Sequence, residues 1–273
     1  MLLLTDAPFL LYRAFFGLPD SIKGADGRPV NALLGSVNMT LQMVEQHAPR
    51  AVVMCFGLES AAYRTQAYPA YHAHRPAMPD DLAWQWERAP ALYEALGWTV
   101  MDTDSYEADD LLGSLAAAED GQVLILTGDR DMFQCVDERV RIMLQGKETE
   151  AVDADGVRER YGIDPAQVPD FIALRGDPSD GIPGAKGIGA KTAADLLRRH
   201  GDLETVIASA VRERPAVRSA LIGQADELRV FRDLATLRMV PLDPPPDRPT
   251  DREGGAAAAE ALGMRRLADR LRG

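Results

Sequence analysis

The sequence has few of the residues that mark secreted, thiolate-metal or membrane proteins. Among 273 residues there are two cysteines, Cys55 and Cys135, and four histidines. Both cysteines lie in or beside apolar segments, which predicts reduced, buried thiols rather than a disulfide. No stretch reaches the roughly 18 consecutive apolar residues of a membrane span. The run Met1-Leu2-Leu3-Leu4 meets an acidic residue too early for a signal peptide. These absences predict a cytoplasmic protein without a membrane partner.

The composition predicts a large core and an excess of acidic charge. A chain of this length with 46% hydrophobic residues fits one large α/β domain and a smaller helical module. The formal net charge of −12 would argue against a nucleic-acid partner if the charge were uniform. It is not uniform, because eight acidic residues form four short groups: Asp6; Glu107, Asp109 and Asp110; Asp129 and Asp131; Asp177 and Asp180.

The acidic groups follow predicted strands or begin a predicted helix. Apolar runs at 2–4 and 122–126 end directly before Asp6 and Asp129, and they read as buried strands of a parallel sheet. Open α/β sheets bind ligands at the carboxyl ends of such strands. Glu107 and Asp110 share one face at the start of the apolar, helical stretch 111–117. Taken singly, each group could merely cap a helix or complement its dipole.

The acidic groups predict a site for hard divalent cations. Ligand sets made of oxygen alone, without nearby cysteine or histidine, suit Mg²⁺ or Mn²⁺ rather than zinc. Two such ions about 3.5–4 Å apart form the clamp used for in-line phosphodiester cleavage. The sequence therefore favours a metal-dependent phosphodiesterase.

Residues 1–156 alternate between strand-like and helix-like segments, which predicts a mainly parallel sheet flanked by helices. Helices are expected at 31–46 and 81–96, and strands at 51–56 and 98–101. The stretch 57–80 is aromatic and basic without apolar periodicity, so it is expected to be a loop. It is either a solvated excursion or an element that grips a nucleic-acid strand, with tyrosines stacking on bases and cations meeting phosphates; the residues concerned include Arg64, Tyr68, Tyr71, His72 and Arg75.

Residues 157–273 are mostly helical in pattern, with a Pro- and Asp-rich linker at 241–252 and a final helix at 256–271. The sharpest motif here is the glycine–lysine turn, 181–192, which leads into a helix. Such a turn is either a plain helix connection or an anion site that aims backbone N–H groups at a phosphate. The expected DNA contacts in this turn are Gly184, Lys186, Gly187, Gly189, Lys191 and Thr192.

Together these motifs resemble the 5′-nuclease family, which includes flap endonucleases, phage 5′ exonucleases and the amino-terminal domain of bacterial DNA polymerase I. The resemblance covers nearly the whole chain. Its motifs are Asp6 with Tyr12-Arg13-Ala14-Phe15-Phe16, Tyr106-Glu107-Ala108-Asp109-Asp110, Thr127-Gly128-Asp129-Arg130-Asp131, Gly176-Asp177-Pro178-Ser179-Asp180 with Gly181-Ile182-Pro183-Gly184, and Gly187-Ile188-Gly189 with Lys191-Thr192-Ala193.

The resemblance implies a PIN-like or resolvase-like α/β core with a helix-three-turn-helix module. It implies a monomeric 5′-3′ exonuclease and flap endonuclease of DNA replication and repair, free-standing beside a separate polymerase. The implied cofactors are two or three Mg²⁺ or Mn²⁺ ions held by the eight acids, and a K⁺ ion in the helical module. The partners would be DNA flaps, nicks and free 5′ ends. Residues 57–80 would form a clamp or arch, with Arg13, Tyr71 and Arg75 near the scissile bond.

Two positions depart from the family pattern. An acidic residue usually follows the phenylalanine that ends the second strand, but here Gly57 does, with Glu59 two residues on. The clamp usually carries a lysine where this chain has His72, so a permanent cation becomes a titratable one. We expect an active enzyme with an altered substrate-activation step. The alternatives are a catalytically weakened structure-specific DNA-binding protein and a PIN-like ribonuclease.

Overall fold

One six-stranded sheet lies at the centre of the computed structural model, which describes residues 1–273. The strands are β1 (Leu2–Asp6), β2 (Ala51–Cys55), β3 (Thr99–Met101), β4 (Val123–Thr127), β5 (Val140–Gln145) and β6 (Thr149–Val152). Their order is β3-β2-β1-β4-β5-β6, and only β6 runs antiparallel to its neighbour. Because β1 pairs with β2 on one side and β4 on the other, the strand order reverses there. Open α/β sheets leave a ligand-binding crevice at such a switch point.

Fourteen α-helices surround the sheet. They are α1 (Ala7–Gly17), α2 (Asn31–His47), α3 (Ala62–Ala67), α4 (Asp80–Trp86), α5 (Ala89–Ala95), α6 (Ala108–Ala118), α7 (Ala154–Tyr161), α8 (Val168–Arg175), α9 (Ala190–His200), α10 (Leu203–Ala208), α11 (Pro215–Gly223), α12 (Ala225–Ala235), α13 (Arg252–Ala261) and α14 (Arg265–Arg272). None of them is both long enough and apolar enough to cross a bilayer.

Alternate residues of the strands feed two separate cores, one on each face of the sheet. Leu2 and Leu4 face a core shared with α6 to α12, whereas Leu3 faces a core shared with α1, α2, α4, α5, α13 and α14. Since both faces are covered, the strands read as continuous apolar runs in the sequence. This architecture confirms the predicted α/β fold with a helical module after the sheet.

The predicted helices and strands before residue 130 are largely confirmed, with one exception. The expected helix at 31–46 is α2, and the expected strands correspond to β1 through β4. The single helix expected at 81–96 is two helices, α4 and α5. Pro90 lies at the start of α5, where its missing N–H costs no hydrogen bond, and it could not continue a helix from α4.

The carboxyl-terminal region returns to the sheet. Residues 241–251 have no regular structure and run along the core, where the Arg50 guanidinium donates to the Pro245 carbonyl at 2.7 Å. The prediction of a single final helix at 256–271 is wrong. The structure has α13 and α14 instead, because Gly263 adopts a left-handed φ of 81° between them. Both helices pack on the face of the sheet that holds α5, away from α7 to α12.

Candidate metal centre and active site

A cleft of about 1110 Å³ opens at the carboxyl edge of the sheet, beside the switch point. Its acidic lining comes from five separate parts of the chain and consists of Asp6, Glu59, Glu107, Asp109, Asp129, Asp131, Asp177 and Asp180. Seven of these are acids that the sequence motifs single out. The fold therefore brings together residues up to 174 positions apart in sequence, as parallel strands with a common edge require.

Asp6 is the last residue of β1 and the N-cap of α1. One oxygen accepts the Phe9 backbone N–H at 3.0 Å, and the other accepts the Thr127 hydroxyl at 2.7 Å. The second bond ties the end of β1 to the end of β4. Burial raises the pKa of Asp6 despite these two hydrogen bonds, because the ionised form loses its hydration.

Glu107 and Asp109 come from the amino terminus of α6. The Glu107 carboxylate accepts the Ala61 N–H at 2.7 Å and the Tyr71 hydroxyl at 3.0 Å, so its direction is fixed. Burial first, and then the negative charges of Asp129 and Asp6, raise the pKa of Asp109 well above its usual value. An isolated carboxylate here would be costly to ionise without a nearby cation.

Asp129 and Asp131 lie in the turn after β4. The turn requires Gly128, since a Cβ there would lie 2.0 Å from the Phe9 ring. Asp129 accepts the Asp131 N–H at 2.8 Å. Burial raises the pKa of Asp129 to about 7. Burial also raises the pKa of Asp131 well above its usual value, with repulsion from Asp129 as the next cause.

Asp177 and Asp180 lie in the loop after α8 and already have cationic partners. Asp177 pairs with Arg175 at 3.0 Å. Asp180 contacts His72 at 3.0 Å and Arg75 at 3.2 Å. Burial alone would raise the pKa of Asp180, but the hydrogen bond and charge of His72, together with Arg75, outweigh it and lower the pKa. The ionised form of Asp180 is therefore favoured without a metal.

Asp110 does not share the cleft, which corrects its expected place among the ligands. Asp110 lies in the first turn of α6, and its side chain is fully buried. Arg64 lies 3.0 Å away, and Tyr63 donates a hydrogen bond to Asp110 at 2.7 Å. The backbone N–H groups of Glu107 and Arg238 also donate to it. Because these donors use both oxygens, Asp110 has no side facing the cleft.

The three predicted catalytic cations have different surroundings. Arg75 lines the cleft with 42% of its side chain exposed. His72 also lines the cleft but is buried, and its Nδ1 lies 2.7 Å from the Glu59 carbonyl. Arg13 is exposed on α1 outside the cleft, where its guanidinium donates to the Gly146 carbonyl.

Two predicted strand-gripping residues pack against the protein instead, one buried and one half-buried. Arg64 is 3% exposed and pairs with Glu107 and Asp110, so it cannot meet DNA from this position. Tyr68 packs edge-on against Phe231 of α12, with ring centroids 5.5 Å apart. Tyr71 lines the cleft but is buried, and it donates to Glu107. The stretch 57–80 contains α3 and is thus partly a packed element.

The glycine–lysine turn presents an open surface beside the cleft. Lys186, Gly187, Gly189 and Lys191 are exposed, Thr192 is half-buried, and no atom lies within 4 Å of a Cβ built on either of these glycines. Gly184 is different, because it is buried with a φ of 71° and shapes the turn. Ala190, the first residue of α9, lines the cleft and connects the two surfaces.

The departure at Gly57 has a steric cause. A Cβ at this position would lie 2.5 Å from the Ala108 backbone nitrogen and 2.6 Å from the Glu107 carbonyl carbon. No side chain fits there unless the backbone moves. Glu59 lines the cleft instead and accepts the Tyr12 hydroxyl at 2.7 Å. Sequence reasoning noted Glu59 but did not identify Tyr12, although Tyr12 belongs to the motif that follows Asp6.

The cleft suits a hard divalent cation by its chemistry. Burial raises the pKa values of Asp6, Asp109, Asp129 and Asp131, and the charges of neighbouring carboxylates raise those of the last three further. A bound cation would relieve this repulsion and would find oxygen ligands of the kind that Mg²⁺ and Mn²⁺ prefer. No three of the acids converge closely enough in this structure to enclose an ion.

Comparisons with known proteins agree along the whole chain. Residues 1–162 match a family model described as "5′-3′ exonuclease, N-terminal resolvase-like domain", and residues 163–250 match "5′-3′ exonuclease, C-terminal SAM fold". A 5′-3′ exonuclease of Streptomyces coelicolor is 39% identical over 96% of this chain and 95% of its own length. A DNA polymerase I of Mycobacterium tuberculosis is 36% identical over 99% of this chain, which spans only 31% of that polymerase.

Solved structures share the fold at lower identity. The T5 D15 protein co-crystallised with metal ions has a TM-score of 0.74 and 17% identity, over 99% of this chain and 96% of that one. The catalytic core of Rad2 in complex with a DNA substrate has a TM-score of 0.67 and 15% identity, over 99% and 90% of the two chains. Both likenesses concern the fold.

Proposed function

Because the chain belongs to the 5′-3′ exonuclease family and is a nuclease of that family, we propose that it hydrolyses DNA at free 5′ ends, nicks and 5′ flaps. The observation that carries this proposal is the cleft at the switch point, where seven motif carboxylates from four parts of the chain share one cavity. So many buried acids would repel one another unless they served a cation.

We propose that two or three Mg²⁺ or Mn²⁺ ions bind the cleft. Asp6, Asp109, Asp129 and Asp131 would hold them most directly, since burial raises the pKa of each and none of them forms an ion pair within 4.0 Å. Glu107, Asp177 and Asp180 complete the set, whereas the contacts of Asp110 remove it. When bound, such ions activate water as a nucleophile and stabilise the leaving oxygen.

The cations of the cleft would orient the DNA. The Arg75 guanidinium donates to Asp180 at 3.2 Å and to the Glu59 carbonyl at 3.5 Å, and its remaining N–H groups would be available to a phosphate. His72 Nε2 lies 3.0 Å from the same Asp180 oxygen that Arg75 contacts, so we propose that His72 positions this carboxylate. Arg13 is exposed on α1 near the cleft and would contact the DNA backbone farther from the reacting phosphate.

The glycine–lysine turn would bind duplex DNA beside the cut. Gly187 and Gly189 leave their backbone open to a phosphate, and the amino terminus of α9 adds a positive dipole. Lys186 and Lys191 add two exposed charges. We further propose that K⁺ binds at this turn, and that the protein acts as a monomer in the bacterial cytoplasm, in DNA replication and repair.

A labelled 5′-flap duplex tests the function. We expect single-turnover cleavage with Mg²⁺ or Mn²⁺ and binding without cleavage in Ca²⁺. Asp129→Ala should abolish cleavage by removing a central ligand, while DNA affinity in Ca²⁺ stays close to wild type. The control is Asp20→Asn, which alters an exposed acid outside the cleft.

The alternatives predict other outcomes of the same assay. Tight flap binding without cleavage in any metal would identify a catalytically weakened DNA-binding protein. Cleavage of RNA hairpins in preference to DNA flaps would identify a ribonuclease. Wild-type cleavage by Asp129→Ala would remove the assigned site.

A further inference from the structure

Arg64 joins a cleft carboxylate to the carboxyl-terminal half of the chain. Its guanidinium is 3.0 Å from a Glu107 carboxylate oxygen and 3.0 Å from Asp110, and its Nε donates to the Leu234 carbonyl at 3.0 Å. The side chain is 3% exposed. Tyr63 and Tyr71 lie against the guanidinium, with ring centroids at 4.9 and 5.9 Å. Arg64 is thus held in one geometry.

Glu107 is oriented from outside the cleft. The Ala61 N–H bonds one carboxylate oxygen, while Tyr71 and Arg64 contact the other. A carboxylate has about four lone-pair directions. With three of them taken by fixed donors, the remaining one is directed by the protein before any ligand arrives.

The segment 234–240, which we call the strap, is bound by side chains of the nuclease core. Leu234 accepts from Arg64, and the Arg238 N–H donates to Asp110 at 2.8 Å. Gln134 donates to the Ala235 carbonyl at 2.9 Å, and the Val240 N–H donates to the Ser114 hydroxyl at 2.8 Å. The strap begins with the last two residues of α12, so it connects the helical module to the acids at the start of α6.

We propose that Arg64 is a positioning residue that, together with Asp110 and the strap, orients Glu107 for the metal ions. This inference rests on the proposed function. It gives Arg64 and Asp110 roles as supports rather than as a DNA contact and a ligand. Supports of metal-binding carboxylates typically change metal affinity or activity by 10- to 100-fold when they are replaced.

Two variants test the proposal. Arg64→Lys keeps the charge but loses the planar fork that reaches Glu107, Asp110 and Leu234 together. Tyr71→Phe removes one donor to Glu107 without changing charge or packing. We expect the Mn²⁺ concentration for half-maximal single-turnover cleavage to rise by about 10- to 100-fold in Arg64→Lys and by a smaller factor in Tyr71→Phe. Excess Mn²⁺ should restore most of the rate.

Mn²⁺ binding measured by calorimetry, without DNA, should weaken in the same order. DNA affinity in Ca²⁺ and its salt dependence should not change. Ser114→Ala, which loosens the strap without touching Glu107, should shift the Mn²⁺ requirement in the same direction by a smaller factor. The control is Arg50→Lys, because Arg50 also joins the core to the carboxyl-terminal segment, through Glu119 and Pro245, but lies outside the cleft.

Unchanged Mn²⁺ binding in both Arg64→Lys and Tyr71→Phe overturns the proposal. A lowered salt slope of DNA binding with normal Mn²⁺ binding would mean that Arg64 meets a phosphate instead. If Arg64→Lys fails to fold, Tyr71→Phe decides alone. A wild-type protein that binds Mn²⁺ but cuts no nucleic acid would refute the proposed function, while calorimetry would still test the positioning role.

Discussion

The cleft carboxylates fall into two electrostatic classes. Burial and mutual repulsion raise the pKa values of Asp109, Asp129 and Asp131, which have no cation in contact. Asp180 has His72 and Arg75, which lower its pKa against the effect of burial. When the carboxyls of the first class are ionised, they destabilise the metal-free protein. The ionised carboxylate of the second class stabilises it. Metal binding should therefore act on stability mainly through the first class.

The pKa of Asp129 predicts a pH-dependent stability. A carboxyl whose pKa rises from 3.8 to about 7 on folding binds its proton more tightly in the native state. The metal-free protein should therefore lose stability as the pH rises from about 4 to about 7. We expect Asp129→Asn in EDTA to melt above wild type at pH 8, with the difference shrinking toward pH 4. Mn²⁺ should raise the wild-type melting temperature more than that of the variant.

Asp180→Asn is the comparison variant, for which we expect a change in melting temperature of the opposite sign. Because the folded pKa of Asp180 is lowered, its stabilisation is present above pH 3.8 and is lost as the pH falls below that value. The substitution should lower the melting temperature at pH 8 by weakening the contacts to His72 and Arg75. If Asp129→Asn also melted below wild type in EDTA at pH 8, the electrostatic account of the cleft would be wrong.

Gly57 shows why a missing acid cannot simply be put back. A methyl group there meets backbone atoms of Glu107 and Ala108, which a rotamer change cannot move. We expect Gly57→Ala to destabilise by about 1–3 kcal/mol, as overpacking typically does. Gly17→Ala is the control, since nothing lies within 4 Å of its Cβ. Equal melting temperatures for the two variants would show that the backbone after β2 can shift at little cost in stability.

Residue roles were harder to predict than residue types. The sequence identifies Asp6 and Asp129 because each follows an apolar run that forms a buried strand. The sequence predicts Arg64 and Tyr68 as DNA contacts because they lie among aromatic and basic neighbours. Their partners, Leu234 and Phe231, lie more than 160 residues away. No local pattern encodes such a contact, so the packing of both side chains could not be foreseen.

At the scale of elements, apolar patterns locate β1, β2 and β4 well but not their ends. The antiparallel pair β5 and β6 was not predicted, because Arg141 is exposed within β5 and β6 has two exposed residues. The divided helices α13 and α14 depend on the backbone of Gly263 and on packing against the sheet. Gly254 and Gly255 precede the expected start of the final helix at 256, but they lie inside α13, where the Gly254 N–H donates to the N-cap Asp251 at 2.8 Å.

The glycine–lysine turn and α9 form the element expected to carry duplex binding. Each phosphate neutralised on B-DNA contributes about 0.9 to the slope of log affinity against log salt. We expect the double variant Lys186→Ala and Lys191→Ala to weaken binding on all sequences and to flatten the slope by up to about two. Chemistry at saturating enzyme should be nearly unchanged.

A charge-matched control separates this local effect from a change in net charge. Arg265 and Arg266 are exposed on α14, and replacing both by alanine removes the same charge from another surface. Their loss should alter the slope far less. Similar slopes for the two double variants would mean that the turn is only a helix connection.

At the scale of the whole molecule, the last two helices complete the core rather than extend the DNA-binding module. The matched family model ends at residue 250, and α13 and α14 lie beyond it. Leu267 and Leu271 of α14 are 2% exposed and join the core beneath β2, the strand that leads to Gly57 and the cleft. The nuclease fold therefore depends on a segment far from the site in sequence.

Leu267→Ala tests this dependence. Truncating a buried leucine typically costs about 2–5 kcal/mol, through lost transfer free energy and the cavity left behind. Each kcal/mol lowers the melting temperature of a chain of this size by about 2–4 °C, so we expect a drop of about 4–20 °C. Ile222→Ala is the matched control, since Ile222 is 55% exposed on α11 and its loss should cost within about 0.5 kcal/mol. Because α14 does not line the cleft, the cleavage rate well below the melting temperature should stay at the wild-type level. A wild-type melting temperature for Leu267→Ala would show that α14 is a dispensable appendage, whereas a reduced rate at low temperature would show that packing on this face reaches the carboxylates.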